Sequence, residues 1–407
     1  MKKINEIDFA IPAEEMKELE KKTKEFLDRL RKSCGKKAEI FVGGSFVKGT
    51  LTKSDDYDID VFVRFSKSVD LSSELERILN RAGIKFERWH GSRDYFRVSS
   101  SKGVTFEVIP VKKISNAKQA DNVTDLSYLH VNYVRKNLKG LARDVRLAKQ
   151  FAKAAGVYGA ESYVNGFSGY ALECLVIYYG GFEKMLRGLL KAKEREVIDD
   201  ARLYKRKADV FVEMNESKTS GPLILVDPTF KERNVLAALS GESFSKFKEH
   251  ALGYFKGKES FSVKGINVDG LIKEAKRRKA EFLHLRLESD RQEGDIAGTK
   301  MKKFSRYLVD SLGKWFIVLR SEFSYSGSGG ADFYLVVKSR GIVKRRGPPL
   351  SMVEEVKKFK RVNKKVVSRK GRLWSVEKVD FSAKDYLKKV DREVIGGMGI
   401  SGMKIEG

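Results

Sequence analysis

The chain has 407 residues, enough for about two to four domains that each bury a hydrophobic core. Its 82 Lys and Arg residues against 55 Asp and Glu give a formal net charge of +27, which favours a polyanionic partner such as nucleic acid. Two distant cysteines exclude a disulfide framework and a cysteine metal cluster. There is no run of about 18 apolar residues and no signal-peptide core, so we expect a cytoplasmic protein without a membrane partner.

The first predicted elements lead up to a glycine turn. Residues 13–34 have the apolar stripe of an amphipathic helix, which we expect to cover the sheet that follows. Residues 38–43 predict a strand, after which Gly43 and Gly44 let the backbone turn and approach a ligand closely. We predict that Ser45 caps the next helix, whose amide groups would then face a phosphate.

The next strand carries two carboxylates. Residues 57–65 alternate so that Asp58 and Asp60 share one face of a strand and apolar residues share the other. Such neighbours repel each other unless a cation lies between them, and Mg²⁺ prefers carboxylate oxygen together with phosphate. An Asp-x-Asp strand alone is most often a solvated face, and a Gly-Ser pair alone is most often a turn. Their combination in one short stretch is far more specific.

This combination resembles the signature of the DNA polymerase β-type nucleotidyltransferases. The resemblance implies a third carboxylate on a neighbouring strand. Residues 103–111 offer Glu107 at that place, where the family usually has Asp. Between the two acidic strands, the pattern predicts a helix over 71–81 and strands over 84–89 and 94–99, so helices and strands mix around one sheet.

The central part of the chain is predicted to be helical over residues 125–155, with a break at Gly140. His130, Lys149 and Tyr158 have polar tips that would be out of place on a core face. Taken singly, a structural histidine and a solvent-exposed lysine are the more common interpretations.

Longer motifs narrow the resemblance. The runs 145–182 and 225–240, with GFSGY at 166–170 and DP…RNV at 227–235, resemble archaeal, class I CCA-adding enzymes, which are tRNA nucleotidyltransferases. With GGSFVKGT and the acidic strand, the resemblance covers residues 38–256. Eukaryotic poly(A) polymerases and oligoadenylate synthetases share the acidic strand, but we would not expect them to carry the central motifs.

The resemblance implies that the protein adds C, C and A to the 3′ end of tRNA from CTP and ATP. It implies two Mg²⁺ ions held by Asp58 and Asp60, with Glu107 binding only the catalytic ion. Arg233, at the start of a predicted helix, would lie near the incoming base or the primer backbone. The other nucleotide-binding residues that the resemblance implies are Gly44, Ser45, Lys48, Ser127, His130, Lys149 and Tyr158.

The C-terminal third predicts a strand over 281–288, a helix, and two strands joined by the glycine turn 326–330, an order like that of an RNA-recognition module. Basic residues surround a Pro-Pro turn in 340–350 and recur in 357–372, which favours a phosphate-binding surface over an ordinary solvated loop. We predict a flexible tail over 393–407. The residues predicted to bind tRNA are Arg345, Arg346, Lys364 and Lys365.

The sequence therefore predicts an α+β protein with three parts. These are a polymerase β-like nucleotidyltransferase head (1–124), a mostly helical central domain that binds nucleotide and primer (125–257), and an α/β body with a basic tail (258–407) that binds the acceptor and T arms of tRNA. A poly(A) polymerase-like enzyme and a catalytically silent tRNA-binding protein stay open as alternatives, the latter because of Glu107. The oligomeric state is also open, with a homodimer as one alternative.

Overall fold

The computed structural model describes residues 7–35, 38–54, 56–66, 70–91, 93–101, 103–290 and 293–406. The chain divides between Val263 and Lys264 into two compact units. In the described ranges, no helix is both long and apolar enough to cross a membrane. The finer division at residues 124 and 257, and the cytoplasmic location, stay predictions.

The head of the first unit is a mixed sheet with helices packed on it. Its elements are α1 (Ala13–Cys34), β1 (Ala38–Val42), α2 (Gly44–Lys48), β2 (Tyr57–Phe65), α3 (Leu71–Arg81), β3 (Glu87–Trp89), β4 (Tyr95–Ser101) and β5 (Val104–Lys112). The strand order is β1-β2-β5-β4-β3, with β2 and β5 parallel and the other neighbours antiparallel. Phe26 of α1 stacks on Phe106 of β5 with ring centroids 4.2 Å apart, so α1 covers one face of the sheet as expected.

The rest of the first unit is mostly helical, and short 3₁₀ turns at Ala117–Gln119 and Val123–Leu126 lead into it. Its elements are α4 (Ser127–Asn137), α5 (Ala142–Ala154), α6 (Gly169–Tyr179), α7 (Phe182–Lys191), β6 (Glu196–Ile198), α8 (Lys207–Glu213), α9 (Glu216–Thr219), β7 (Leu223–Asp227), β8 (Phe230–Asn234) and α10 (Gly241–Phe255). Gly140, with a φ of 85°, separates α4 from α5, which confirms the predicted break. The buried rings of Phe151, Phe182 and Phe247 join α5, α7 and α10 into one core.

The second unit contains two sheets. Its elements are α11 (Val268–Arg278), β9 (Glu281–Ser289), α12 (Gly294–Gly313), β10 (Phe316–Ser324), β11 (Ala331–Ser339), β12 (Ile342–Pro349), α13 (Val353–Val362), β13 (Val366–Arg369), β14 (Arg372–Lys378), α14 (Ala383–Lys388), α15 (Arg392–Gly397) and β15 (Ile400–Glu406). One sheet has the order β10-β11-β9-β15 and the other the order β12-β14-β13. The predicted order of strand, helix, strand and strand is confirmed by β9, α12, β10 and β11. Helices and strands both build this unit and the first, which confirms the α+β class.

The predicted flexible tail is wrong. The chain forms α15, and β15 then pairs antiparallel with β9 at the edge of its sheet. Ile400 is buried, and Met403 and Ile405 pack against the core of the second unit. Without β15, β9 would present an unpaired edge of backbone N–H and C=O groups. The backbone of β15 pairs with that edge, and its apolar side chains pack against the core.

The predicted Pro-Pro turn is also wrong, because β12 continues through Pro349, which pairs with Arg372 of β14. Proline cannot donate to a strand ladder, and it is tolerated here because β12 lies at the edge of its sheet. The basic run Lys344 to Arg346 is therefore held on a strand.

Candidate active site

Three carboxylates lie on two adjacent strands, β2 and β5. In the parallel register of β2 and β5, Asp60 lies opposite Glu107 and Asp58 lies opposite Thr105. Burial alternates along β2, where Asp58 is exposed while Tyr57 and Ile59 are buried, so the predicted division of faces is confirmed. We call Asp58, Asp60 and Glu107 together the acidic face.

The acidic face carries more negative charge than its surroundings balance. Burial raises the pKa of Asp60 to about 6; the charge of Asp58 adds to this shift and the ammonium of Lys48 opposes it. Burial likewise raises the pKa of Glu107 to about 7, with further contributions from Asp60 and Asp58. A cation at this face would favour the ionised form of these carboxylates.

An arginine that was not predicted as a site residue lies beside these carboxylates. Arg97 on β4 places Nη2 3.6 Å from Asp58 Oδ1 and Nε 3.7 Å from Glu107 Oε1. Its guanidinium lies 4.8 Å from the centre of the Trp89 ring. Among the described residues, Arg97 Nε is buried without a hydrogen-bond partner. Arg97 thus compensates part of the negative charge of the acidic face. No sequence signal marked Arg97, because its place opposite Glu107 depends on how β4 pairs with β5.

The glycine turn brings backbone against the acidic face. Gly44 has a φ of +61°, and a Cβ there would overlap the Asp60 carboxylate, so only glycine fits. Gly43 N–H donates to the Asp60 carbonyl at 2.9 Å. The capping role predicted for Ser45 is wrong: Gly43 is the N-cap of α2 and Ser45 is already inside the helix. The N-cap therefore lies two residues earlier than predicted, and the left-handed conformation falls on Gly44.

Two predicted phosphate-binding lysines share one buried carboxylate. Lys48 Nζ donates to Glu173 Oε2 at 2.5 Å, and Lys149 Nζ donates to Glu173 Oε1 at 3.0 Å. Thr50 Oγ1 also donates to Glu173 Oε1, at 2.7 Å. Glu173 is fully buried; burial alone would raise its pKa, but Lys149 and Lys48 hold it at about 2. We call Lys48 and Lys149 the lysine pair; both bind the carboxylate of Glu173.

The GFSGY motif positions Tyr158 against this group. Gly166 allows the backbone to pack on Val157, because a Cβ at Gly166 would overlap the Val157 carbonyl. A Cβ at Gly169 would lie 3.1 Å from the Tyr158 hydroxyl and 3.6 Å from Lys149 Cε, so both tips lie against the start of α6. The structure therefore brings Tyr158 and Lys149 together.

A second buried carboxylate, Asp227, contacts the predicted nucleotide-binding residues His130 and Arg233. His130 Nε2 lies 3.0 Å and Arg233 Nη1 2.6 Å from Asp227 Oδ2, while the Tyr170 hydroxyl donates to Oδ1 at 3.1 Å. His130 stacks on Tyr170 with ring centroids 4.0 Å apart. Burial would raise the pKa of Asp227, but His130 and Arg233 hold it well below its usual range. We call these residues and Thr229, which donates to Oδ1, the Asp227 cluster.

The lysine pair and the Asp227 cluster are neighbours, since Lys48 Nζ lies 6.0 Å from the centre of the Tyr170 ring.

Arg233 lies on β8. The prediction that it lies at the start of a helix is therefore wrong. Ser127 begins α4 one turn before His130 and therefore lies on the same side of that helix. Glu173 and Asp227 were not predicted from the sequence; the available signal for Glu173 was a carboxylate in the otherwise apolar run of α6.

The residues predicted to bind tRNA lie in the second unit, and all are exposed: Arg345, Arg346, Lys364 and Lys365. The register of β12 with β14 sets Arg345 opposite Ser375 and Arg346 opposite Trp374, so the two arginines point to opposite faces of the sheet. The Arg345 guanidinium lies 4.4 Å from the centre of the Trp315 ring. β12 thus holds Arg345 and Arg346 in a defined arrangement, while Lys364 and Lys365 lie between α13 and β13.

The acidic face fits a divalent ion that takes further ligands from a substrate. Among the described residues, no three Asp, Glu, His or Cys side chains converge into a complete ligand set. Mg²⁺ commonly uses one or two carboxylates and fills its shell with water and phosphate oxygens. The nucleotidyltransferases that the motifs resemble generally use divalent metal ions. The carboxylates of the acidic face supply the oxygen ligands that such ions prefer.

Comparison with known proteins agrees with this geometry. Residues 6–148 match the nucleotidyltransferase domain family, and residues 143–262 match the family "tRNA nucleotidyltransferase, second domain". A CCA-adding enzyme of Nanoarchaeum equitans is 32% identical over 94% of this chain and 95% of its own length. CCA-adding enzymes of Methanosarcina mazei and Pyrococcus abyssi are 29% and 33% identical over 79% and 59% of this chain, and over 72% and 55% of their own lengths. The resemblance seen in the motifs is confirmed, and the chain belongs to the family of CCA-adding enzymes, which are nucleotidyltransferases.

Proposed function

We propose that this protein adds C, C and A to the 3′ end of tRNA, with CTP and ATP as substrates and no nucleic acid template. One observation carries the proposal: α2 joins the acidic face to the lysine pair. A Cβ at Gly44, its first residue, would overlap the Asp60 carboxylate, and Lys48, its last residue, donates to Glu173. A nucleoside triphosphate needs oxygen ligands for its metal ions on one side and cations for its phosphates on the other. The acidic face supplies the oxygen ligands, and the lysine pair supplies the cations.

Two Mg²⁺ ions would be held by Asp58 and Asp60, and Glu107 would bind the catalytic ion only. When bound, they would lower the pKa of the primer 3′-hydroxyl and neutralise the departing pyrophosphate. Lys48 and Lys149 would bind the triphosphate, with Ser45 and the backbone of Gly44 beside it. No covalent intermediate is required, so no nucleophilic side chain is expected.

The Asp227 cluster would hold the nucleoside. Asp227 accepts hydrogen bonds from its partners and so fixes the side chains of His130 and Arg233. Fixed donors lose less conformational freedom on binding than mobile ones, which favours a defined orientation of base and ribose. Tyr158 and Ser127 complete the proposed nucleotide contacts.

Glu173 acts in this proposal as a positioning residue for the lysines. We expect Glu173→Gln to raise KM for CTP and ATP alike by about ten-fold or more, the cost of one weakened charge-assisted contact. KM for tRNA should stay unchanged. Steady-state kinetics with each nucleotide check this, with thermal unfolding of the variant measured alongside. Glu183→Gln, which removes a half-buried carboxylate that accepts from Tyr254 on α10, is the control. An unchanged nucleotide KM in a folded Glu173 variant would contradict the assignment.

The proposed substrate is the acceptor and T arms of tRNA. An enzyme that must accept every tRNA cannot read base sequence along the stem, so it should recognise A-form shape, phosphates and 2′-hydroxyls. A minihelix of these two arms should be extended almost as well as whole tRNA, and a DNA copy poorly. Extension with each labelled nucleotide in turn also separates CCA addition from poly(A) synthesis, which needs only ATP.

The exposed cations on β12 and directly before β13 should contribute to RNA binding. We expect the fourfold change of Arg345, Arg346, Lys364 and Lys365 to Gln to raise KM for tRNA. For every phosphate that the variant no longer neutralises, the slope of log Kd against log salt concentration should fall by roughly 0.7–0.9. KM for CTP should not change. Lys17, Lys21, Lys24 and Lys32, exposed on α1, give a control variant with the same change in charge. An unaltered salt slope would assign these cations to an ordinary solvated surface.

The homodimer stays a prediction, which sedimentation of the purified protein would test.

A further inference from the structure

A cavity of about 760 Å³ lies in the first unit, where the end of α6, the end of α7, the start of β6 and α8 come together. Its volume falls within the roughly 300–1,000 Å³ of small-molecule sites. Glu173 and Tyr178 are five residues apart on α6, and Tyr170 and Tyr178 are eight apart, so the cavity lies roughly 8–12 Å further along this helix than the proposed nucleotide site. It is therefore separate from that site.

Three exposed cations line the cavity without an acidic partner. Lys191, Lys193 and Arg195 form no ion pair with any described residue, although Glu194 and Glu196 also line the cavity. Of the four described basic side chains at the cavity, only Lys207 pairs, with Glu196 at 4.0 Å. Unpaired like charges around one space repel each other, and an anion bound there would relieve this repulsion.

Aromatic rings stand beside these cations. Both rings line the cavity and are open to solvent, since Tyr178 is 41% exposed and Phe211 is 39% exposed. The Arg195 guanidinium lies 4.9 Å from the centre of the Phe211 ring. Exposed rings interleaved with cations are what single-stranded nucleic acid binders use for bases and phosphates.

The backbone at the cavity is held in an uncommon conformation. Arg195 has a φ of +54°, in the left-handed region that non-glycine residues rarely adopt. Its N–H donates to the Pro222 carbonyl at 2.9 Å, which anchors this conformation. Backbone of this kind concentrates at ligand-binding sites, where surrounding structure maintains it. The conformation directs the Arg195 side chain over Phe211.

We propose that this cavity binds a nucleoside phosphate. The base stacks on the rings of Tyr178 and Phe211, and the phosphate is bound by Lys191, Lys193 and Arg195. The ligand is either a free nucleotide or one unpaired nucleotide of an RNA strand, since both present the same base and phosphate. The proposal does not depend on the reaction at the acidic face.

The test is photocrosslinking of the full chain in EDTA, which removes the divalent ions that favour binding at the acidic face. One arm uses a single-stranded oligoribonucleotide that contains 4-thiouridine, and the other uses free 8-azido-AMP. Mass spectrometry then locates the crosslinks. We expect crosslinked peptides that contain Tyr178 or Phe211. Crosslinking in the RNA arm alone assigns an RNA nucleotide, and crosslinking in the azido-AMP arm assigns a free nucleotide.

Two variants establish the site. Tyr178→Leu keeps an apolar side chain but removes the stacking ring, and Lys193→Gln with Arg195→Gln removes two of the cations. Each should weaken binding of its probe by about five-fold or more, the lower end for one stacked base, and should remove the crosslink. Lys184→Gln, an exposed lysine on α7 outside the cavity, is the control. Crosslinks at neither Tyr178 nor Phe211 in both arms, or crosslinks that persist in the folded variants, would overturn the proposal.

Discussion

Asp58→Asn and Asp60→Asn are each expected to abolish nucleotide addition, with kcat reduced by more than about a thousand-fold, because a bound metal ion contributes several kcal/mol to charge stabilisation. Asparagine keeps the size of the side chain and removes the charge that would hold the ion. Affinity for tRNA should stay nearly intact, since it comes from cations distributed over the chain.

Asp56→Asn is the matched control for this pair. Asp56 is exposed and precedes β2, so its change alters the same net charge without touching the acidic face. Single-turnover extension of tRNA that lacks its terminal nucleotides measures the chemical step, and filter binding measures tRNA affinity. Activity above a few per cent in either Asn variant would remove that residue from the proposed metal site.

The second large effect is expected at Glu107. Glu107→Gln should be inactive, because Glu107 lies opposite Asp60 and would supply the third carboxylate. Glu107→Asp should keep measurable activity, since the family usually has Asp at this place and the charge is retained. The assay is the same extension reaction.

Glu20→Gln, exposed on α1, is the control for Glu107 and should extend tRNA normally. Wild-type behaviour of Glu107→Gln would mean that the third carboxylate lies elsewhere.

Much of the acidic face could be predicted from the sequence. The alternation of residues 57–65 is a property of any extended strand, so it placed Asp58 and Asp60 on one face without knowledge of the fold. Glycine's freedom at positive φ likewise marked the turn at Gly44. Both constraints are local, so a few neighbouring residues are enough to predict them.

The partners of the buried side chains could not be predicted in the same way. Glu173 lies 125 residues from Lys48, and Asp227 lies 97 residues from His130. No periodicity links positions that meet only when different helices and strands pack together. Arg97 is a similar case, because its place beside Glu107 depends on how β4 pairs with β5.

In the C-terminal third, too, some features could be predicted from the sequence and others could not. By itself the sequence determined that basic residues cluster around Arg345 and that strands and a helix precede them. Only the tertiary structure decided that the tail pairs with β9 and that Pro349 stays within a strand, because strand pairing joins residues remote in sequence and is settled by which backbone edges remain unpaired.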